Sequence, residues 1–315
     1  MEKIMGLARK YQICVEETPY YHVISRCVRR AFLCGEDSVT GFSFEHRRKW
    51  IVQRMKYLAK LFNIDVCAYA VMSNHFHLVL KVNKTTDWTE QRVLITWAGL
   101  FDLPLLCERF VRGEHMSKPE LDYVYRQADV YRKRLISISW FMKCLNEYIA
   151  KRANIEDKCT GHFWESRFKS QALLDERALL TCMAYVDLNP IRAAIANTPE
   201  SSDYTSIQER IKSKNSELLA FGLGDDDLPY SLSAYLDLVD YTGRAIHAHK
   251  RGYIPPELPS ILERLKLNPD AWLDELNSFK SIGITAVGTV DQLKDFCKQV
   301  GKKFCVGLKL IPAVE

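Results

Sequence analysis

Two short apolar runs separated by a turn constrain this chain more than any other feature. Ile64-Asp65-Val66-Cys67-Ala68-Tyr69-Ala70-Val71-Met72 and Leu78-Val79-Leu80-Lys81-Val82 are rich in strand-forming residues, and Ser73-Asn74 between them is a turn signal. Together they predict a β-hairpin over 64–82. Asn74-His75-Phe76-His77 leads into its second strand. Residues i and i+2 of a strand share a face, so His75 and His77 project together while Phe76 points into the opposite layer. Two imidazoles at that spacing can share one divalent metal ion. The plainer alternative is a pair of half-exposed strand histidines without a task.

The flanking patterns predict the rest of a fold. Residues 21–28 read as a first strand. Residues 44–62 read as a helix, with Trp50, Ile51, Met55, Leu58, Ala59 and Phe62 at three-to-four spacing. Residues 83–133 form a mostly helical insertion with breaks near Pro104, Gly113 and Pro119. Ser139 is placed to cap a helix running to Ala153. A short strand follows over 170–174. A helix then runs from Asp175 to Leu188, its first-turn carboxylates suiting the positive end of the helix dipole. Strand, helix, hairpin, helix, strand is an α+β pattern, expected to form a ferredoxin-like antiparallel sheet with packed helices. A boundary is expected after the polar run 197–215. Beyond it, 216–315 reads as a mostly helical C-terminal extension: a linker-like acidic turn at 222–227, then helical segments near 231–241, 258–266 and 290–300.

Bulk properties narrow the class. A chain of 315 residues can hold a large core and two domains. No apolar run approaches the roughly 18 residues of a membrane span, and the first ten residues hold no apolar stretch of signal-peptide length. A cytoplasmic protein is expected. None of the ten cysteines forms a C-x-x-C pair, which argues against a zinc ribbon or a redox motif. They read as small buried hydrophobes. The net charge of +5 is uneven: residues 1–215 balance at +8 and residues 216–315 at −3. A polyanion such as nucleic acid would favour the basic part. On this balance, a chain ending near Asn215 is expected to keep most of its affinity for single strands.

A second dense motif is Ala184-Tyr185-Val186-Asp187-Leu188-Asn189-Pro190-Ile191-Arg192-Ala193. On a helix Tyr185 and Asn189 are neighbours at i and i+4. A phenol oxygen can attack phosphorus if its proton and the developing charge are managed. The amide oxygen of Asn189 could join His75 and His77 on one metal, leaving positions for phosphate oxygens. Pro190 disfavours helical dihedrals at Asn189, so a helix C-cap or turn role for that residue stays open. Between the motifs, Thr160-Gly161-His162-Phe163-Trp164-Glu165-Ser166-Arg167-Phe168-Lys169-Ser170 interleaves rings with cations, as single-strand binders do. Arg167 and Lys169 are read as nucleic-acid contacts and Trp164 as a core ring.

Four blocks, in order, resemble the single-tyrosine HUH transposases, specifically the REP-associated tyrosine transposase branch. They are Tyr21-His22-Val23-Ile24-Ser25-Arg26, Met72-Ser73-Asn74-His75-Phe76-His77-Leu78, Gly161-His162-Phe163-Trp164-Glu165-Ser166-Arg167-Phe168 and Tyr185-Val186-Asp187-Leu188-Asn189-Pro190-Ile191-Arg192-Ala193. The resemblance spans about residues 15–210. It implies a ferredoxin-like domain in which His75, His77 and Asn189 hold Mg²⁺ or Mn²⁺. It also implies that Tyr185 attacks single-stranded DNA to give a 5′-phosphotyrosine link and a free 3′-OH. Arg26 and Arg192 fall inside the blocks and join Arg167 and Lys169 as DNA-contact candidates. His162 is a candidate base only through its place in the third block. The implied substrates are hairpin-forming repeats or element ends. The insertion and the extension leave the oligomeric state open, a homodimer included. Two other readings compete: a domesticated nucleic-acid-binding protein that does not cleave, and a replication-initiator-type nickase.

Overall fold

The computed structural model of the chain describes residues 12–28, 33–37, 41–83, 87–213, 216–222, 224, 226–246, 285–302 and 306–309. They form two compact units, one of Met1–Lys49, Val66–Lys81 and His162–Glu315, the other of Trp50–Asp65 and Val82–Gly161. The fold is mixed α+β, with a six-stranded sheet.

The strands are β1 (Tyr20–Arg26), β2 (Ile64–Val71), β3 (His75–Val82), β4 (Lys169–Leu173), β5 (Ala286–Gly288) and β6 (Gly307–Lys309), in the order β2-β3-β1-β4-β5-β6. The predicted hairpin is β2 and β3, closed by the Met72 N–H donating to the His75 carbonyl at 2.8 Å. β1 lies between β3 and β4 and is antiparallel to both. Its register sets Arg26 opposite His75, Ile24 opposite His77 and Lys169, and His22 opposite Val79 and Gln171. Directly opposed residues share a face. One face therefore carries Arg26, His75, His77, His22, Gln171 and Lys169, with Val79 and Leu173 farther along. Tyr21, Val23, Phe76 and Leu78 occupy the other face.

Helix α6 (Glu176–Asp187) covers the first face. Asp175 starts it, its carboxylate accepting from the Ala178 N–H at 2.7 Å. Leu179, Leu180, Cys182, Met183 and Val186 of α6 pack with Cys67, Ala68, Val79 and Leu173 of the sheet. Leu188 ends the helix, and Asn189–Arg192 forms a separate single turn, α7, with Pro190 in its first positions.

The C-terminal region departs from its sequence reading. The sequence predicts a mostly helical extension for 216–315 and marks no strand in it, yet β5 and β6 extend the sheet in parallel from β4, with α10 (Val290–Gln299) between them in the chain. Three-residue strands are too short to show a period of two in sequence. The acidic stretch at 222–227 is not a linker: Phe221 and Leu228 around it bridge one another, and Leu228 is fully buried. Leu228, Tyr230, Ala234, Tyr235, Leu238, Val239 and Val287 belong to the same core as α6. The expected segment at 258–266 lies outside the described residues.

Asp187 ties this region together. Its carboxylate accepts from the Ser206 hydroxyl at 2.5 Å, the Ile207 N–H at 2.9 Å and the Tyr235 hydroxyl at 2.6 Å. These donors join α6 to α8 (Ser206–Lys212) and α9 (Leu232–Ile246). Burial pushes the Asp187 carboxyl up to about 6, and the Ser206 and Tyr235 bonds hold it from going higher. Asp187→Ala would leave three buried donors without their acceptor, at about 1–3 kcal/mol each. The expected loss is on the order of 4 kcal/mol of unfolding free energy, read from urea denaturation.

The outer edge of β2 is also occupied. Val71 N–H donates to the Tyr204 carbonyl at 3.1 Å and Tyr69 N–H to the Ser206 hydroxyl at 2.9 Å. Leu219 N–H donates to the Val66 carbonyl at 2.9 Å, and Arg210 to the Cys67 carbonyl at 2.8 Å.

The second unit is helical. It holds most of α1 (His46–Leu61), then α2 (Glu90–Ala98), α3 (Leu105–Val111), α4 (Lys118–Leu135) and α5 (Ile138–Glu156). The predicted breaks fall where expected: Pro104 caps α3, Gly113 follows it with a φ of 74°, and Pro119 sits in the first turn of α4. The cap of α5 is Ser137 rather than Ser139, because the Ser137 hydroxyl is the one that accepts the Trp140 N–H. Val93, Leu94, Trp97, Val124, Ala128 and Tyr131 build the core of α2–α4, with the Trp97 and Tyr131 rings stacked at 4.6 Å.

Seven of the nine described cysteines are buried and all nine are free thiols. No helix among the described residues is long and apolar enough to cross a membrane.

Candidate active site

The sheet register and α6 bring four side chains from distant sequence positions into one polar cluster. His75 and His77 lie on the α6-facing side of β3, their ring centroids 4.9 Å apart. Tyr185, in the last turn of α6, sets its ring edge-on to His77 at 5.7 Å. Asn189, on α7, brings its Nδ2 to 3.4 Å from His77 Nε2 and is hydrogen-bonded to the Tyr185 side chain. The break between α6 and α7 therefore does not remove Asn189 from the cluster. The helix ends at Leu188, and the new turn still presents the amide toward the histidines.

His22 is a member of the cluster that the sequence reading did not single out. Its ring lies edge to edge with that of His77, centroids 5.1 Å apart and planes within 12° of each other, and meets Tyr185 edge-on at 6.1 Å. His22 Nε2 lies 2.9 Å from His77 Nδ1, and His22 Nδ1 lies 2.6 Å from Gln171 Oε1. A fully buried histidine and a 5 % exposed glutamine, mid-strand in an apolar sheet, are unusual enough to be a signal. Their pairing is invisible in sequence, because it depends on the register of β1 against β4.

Burial governs the protonation states. It draws His22 down to about 4, opposed by the Gln171 hydrogen bond. It draws His75 down to about 4, helped by the charge of Arg26. His77 lies well below the ordinary histidine value, through burial and then its neighbours His75, His22 and Arg26. All three rings are neutral near pH 7, as metal-ligating imidazoles must be. Burial raises the Tyr185 phenol, while Asn189, Arg192 and Arg26 pull it back. The phenol is protonated as it stands.

The expected DNA contacts divide. Arg192 sits with its guanidinium carbon 5.3 Å from the centre of the Tyr185 ring, and Arg26, exposed, lies opposite His75 in the ladder. Both border the cluster. Lys169 is exposed at the start of β4 on the same face, and Arg167 is exposed in the loop before it. Trp164, half-buried, packs edge-on against Phe76 at 5.7 Å, on the far side of β3 from the histidines. His162 is exposed two residues earlier.

The donor set fits a divalent ion. Asn74 Oδ1 lies 2.6 Å from His75 Nδ1, so that nitrogen donates and His75 Nε2 keeps the lone pair. His77 Nε2 accepts from the Asn189 amide and likewise carries a lone pair. No group of three or more His, Cys, Asp or Glu suited to a metal occurs among the described residues. An ion here would take His75, His77 and an amide oxygen, with the Asn189 side chain turned about its Cβ–Cγ bond so that Oδ1 replaces Nδ2.

No protein-family model matches the chain, and no curated protein matches it. Among solved structures, a REP-associated tyrosine transposase bound to a REP hairpin is similar to it at 11 % identity and a TM-score of 0.40, over 70 % of this chain and 94 % of that one. A likeness that faint is neutral on activity, and the polar cluster itself has to carry any reading of what the chain does.

Proposed function

We propose that this protein is a metal-dependent single-stranded DNA endonuclease and strand transferase with Tyr185 as nucleophile. The observation that carries the reading is the meeting of a tyrosine, two neutral histidines and an amide between β3 and α6, bordered by Arg26 and Arg192. On this reading β1, β2, β3 and β4 form the sheet of a ferredoxin-like scaffold, which the β2-β3-β1-β4 order supports.

The step is a transesterification. The Tyr185 oxygen bonds to the scissile phosphorus, the P–O3′ bond breaks, and the phenol proton leaves as the 3′-OH forms. Reversal by a 3′-OH rejoins strands with no external energy source. His75, His77 and Asn189 would hold Mg²⁺ or Mn²⁺, which supplies charge neutralisation at the phosphate. Arg192 beside the ring and Arg26 beside His75 favour the phenolate as it develops and bind phosphate oxygens. Lys169 and Arg167 extend the cationic track along one edge, for a strand or a hairpin end.

The test uses single-stranded DNA from the flanks of the protein's own gene. With Mg²⁺ or Mn²⁺ a covalent adduct is expected on a denaturing gel. With EDTA, or in His75→Ala or His77→Ala, adduct should fall to background while the circular dichroism spectrum is kept. Adduct formation at the wild-type rate by either variant would overturn the metal assignment. A second reading, nucleic-acid binding without cleavage, is favoured by the 8 % exposure of Tyr185, low for a nucleophile. It gives binding without adduct in the same experiment.

A further inference from the structure

We infer that Gln171 and His22 are positioning residues that fix the tautomer of His77 and so aim its lone pair at the metal. The inference rests on the metal site proposed above.

Gln171 Oε1 can only accept, so His22 Nδ1, 2.6 Å away, carries the hydrogen. A neutral imidazole has a single N–H, so His22 Nε2 accepts. The hydrogen in the 2.9 Å contact between the rings therefore belongs to His77 Nδ1. The lone pair of His77 is then on Nε2, the nitrogen facing Asn189. His22 cannot itself be a ligand, because both its nitrogens are engaged. The relay crosses three adjacent strands, β4 to β1 to β3, so the ladder register holds each member in place. Metal-bound histidines generally donate their other N–H to a fixed acceptor, which orients the ring and strengthens the donor nitrogen. Here the acceptor is a second histidine, itself oriented by an amide oxygen.

Two measurements test this. In metal-free, ¹⁵N-histidine-labelled wild-type protein at pH 7.5, two-bond ¹H–¹⁵N spectra distinguish the tautomers. Both His22 and His77 are expected in the Nδ1–H form; an Nε2–H form at either overturns the inference, whatever the protein does to DNA. Mn²⁺ affinity is then measured by calorimetry in Gln171→Leu and Gln171→Glu. A role in packing alone would tolerate the apolar leucine better than a buried carboxylate. The relay requires the opposite: Gln171→Leu binding about 10–100-fold more weakly, and Gln171→Glu, which keeps the acceptor, staying near wild type. Wild-type affinity in Gln171→Leu overturns the role. If Gln171→Leu does not fold, the tautomers and Gln171→Glu decide. Absence of Mn²⁺ binding in the wild type removes the metal site and this role with it, while the tautomer result still shows whether the relay itself is correct.

Discussion

Tyr185→Phe is expected to bind Mn²⁺ and single-stranded DNA as the wild type does and to form no covalent complex with DNA. The substitution removes one oxygen from a ring that is 8 % exposed and packed among His22, His77 and Arg192. The ring contacts survive it. The lost hydrogen bond to Asn189 costs about 1 kcal/mol, too little to unfold a domain. Chemistry, by contrast, loses its only proposed nucleophile, so adduct should vanish rather than diminish. Mass spectrometry of the wild-type adduct should place the nucleotide on the peptide containing Tyr185. Recovery on another residue would remove Tyr185 from the mechanism.

A chain ending near Asn215 is expected not to fold, in contrast to what charge alone suggests. Charge speaks to DNA contact and is silent on packing. The truncation removes Leu228, Tyr230, Tyr235, Leu238, Val239 and Val287 from the core that backs α6. Each large apolar side chain buried contributes about 1.5–3 kcal/mol, so the six together contribute roughly 9–18 kcal/mol, as much as the roughly 5–15 kcal/mol that holds a whole domain together. It also takes the Tyr235 hydroxyl from Asp187, two residues after the proposed nucleophile. The check is the circular dichroism and thermal transition of the shortened protein. A cooperative transition near that of the full chain, with DNA affinity intact, would show that the C-terminal region is dispensable to the fold.

What was legible in the sequence was local. Two short apolar runs rich in strand formers and a turn predict the hairpin, and the i, i+2 spacing alone sets His75 and His77 on one face of it. Asp175 ahead of an apolar run announces α6, and helical spacing puts Tyr185 and Asn189 together. What was not legible depended on pairing between segments far apart. His22 and Gln171 become partners only once β1 is aligned with both β3 and β4. β5 and β6 offer three residues each, and nothing in so short a run says which sheet edge it will join. The acidic turn reads as a linker because its charges are conspicuous and the single buried Leu228 after it is not. Ser137 and Ser139 are chemically equal as caps, and only the helix start decides between them.

The occupied edge of β2 limits how two copies of this protein could meet. A homodimer formed by joining sheets side by side at β2 would need that strand's outward N–H and C=O groups for its partner. Tyr204, Ser206, Arg210 and Leu219 already hold them. Opening that edge would cost several hydrogen bonds and peel away the segment that also anchors Asp187. The same covering keeps a long, largely apolar strand from templating aggregation when the protein is concentrated. Any dimer of this chain therefore has to be built from side-chain surfaces or from a different strand, not from continuation of the β2 ladder.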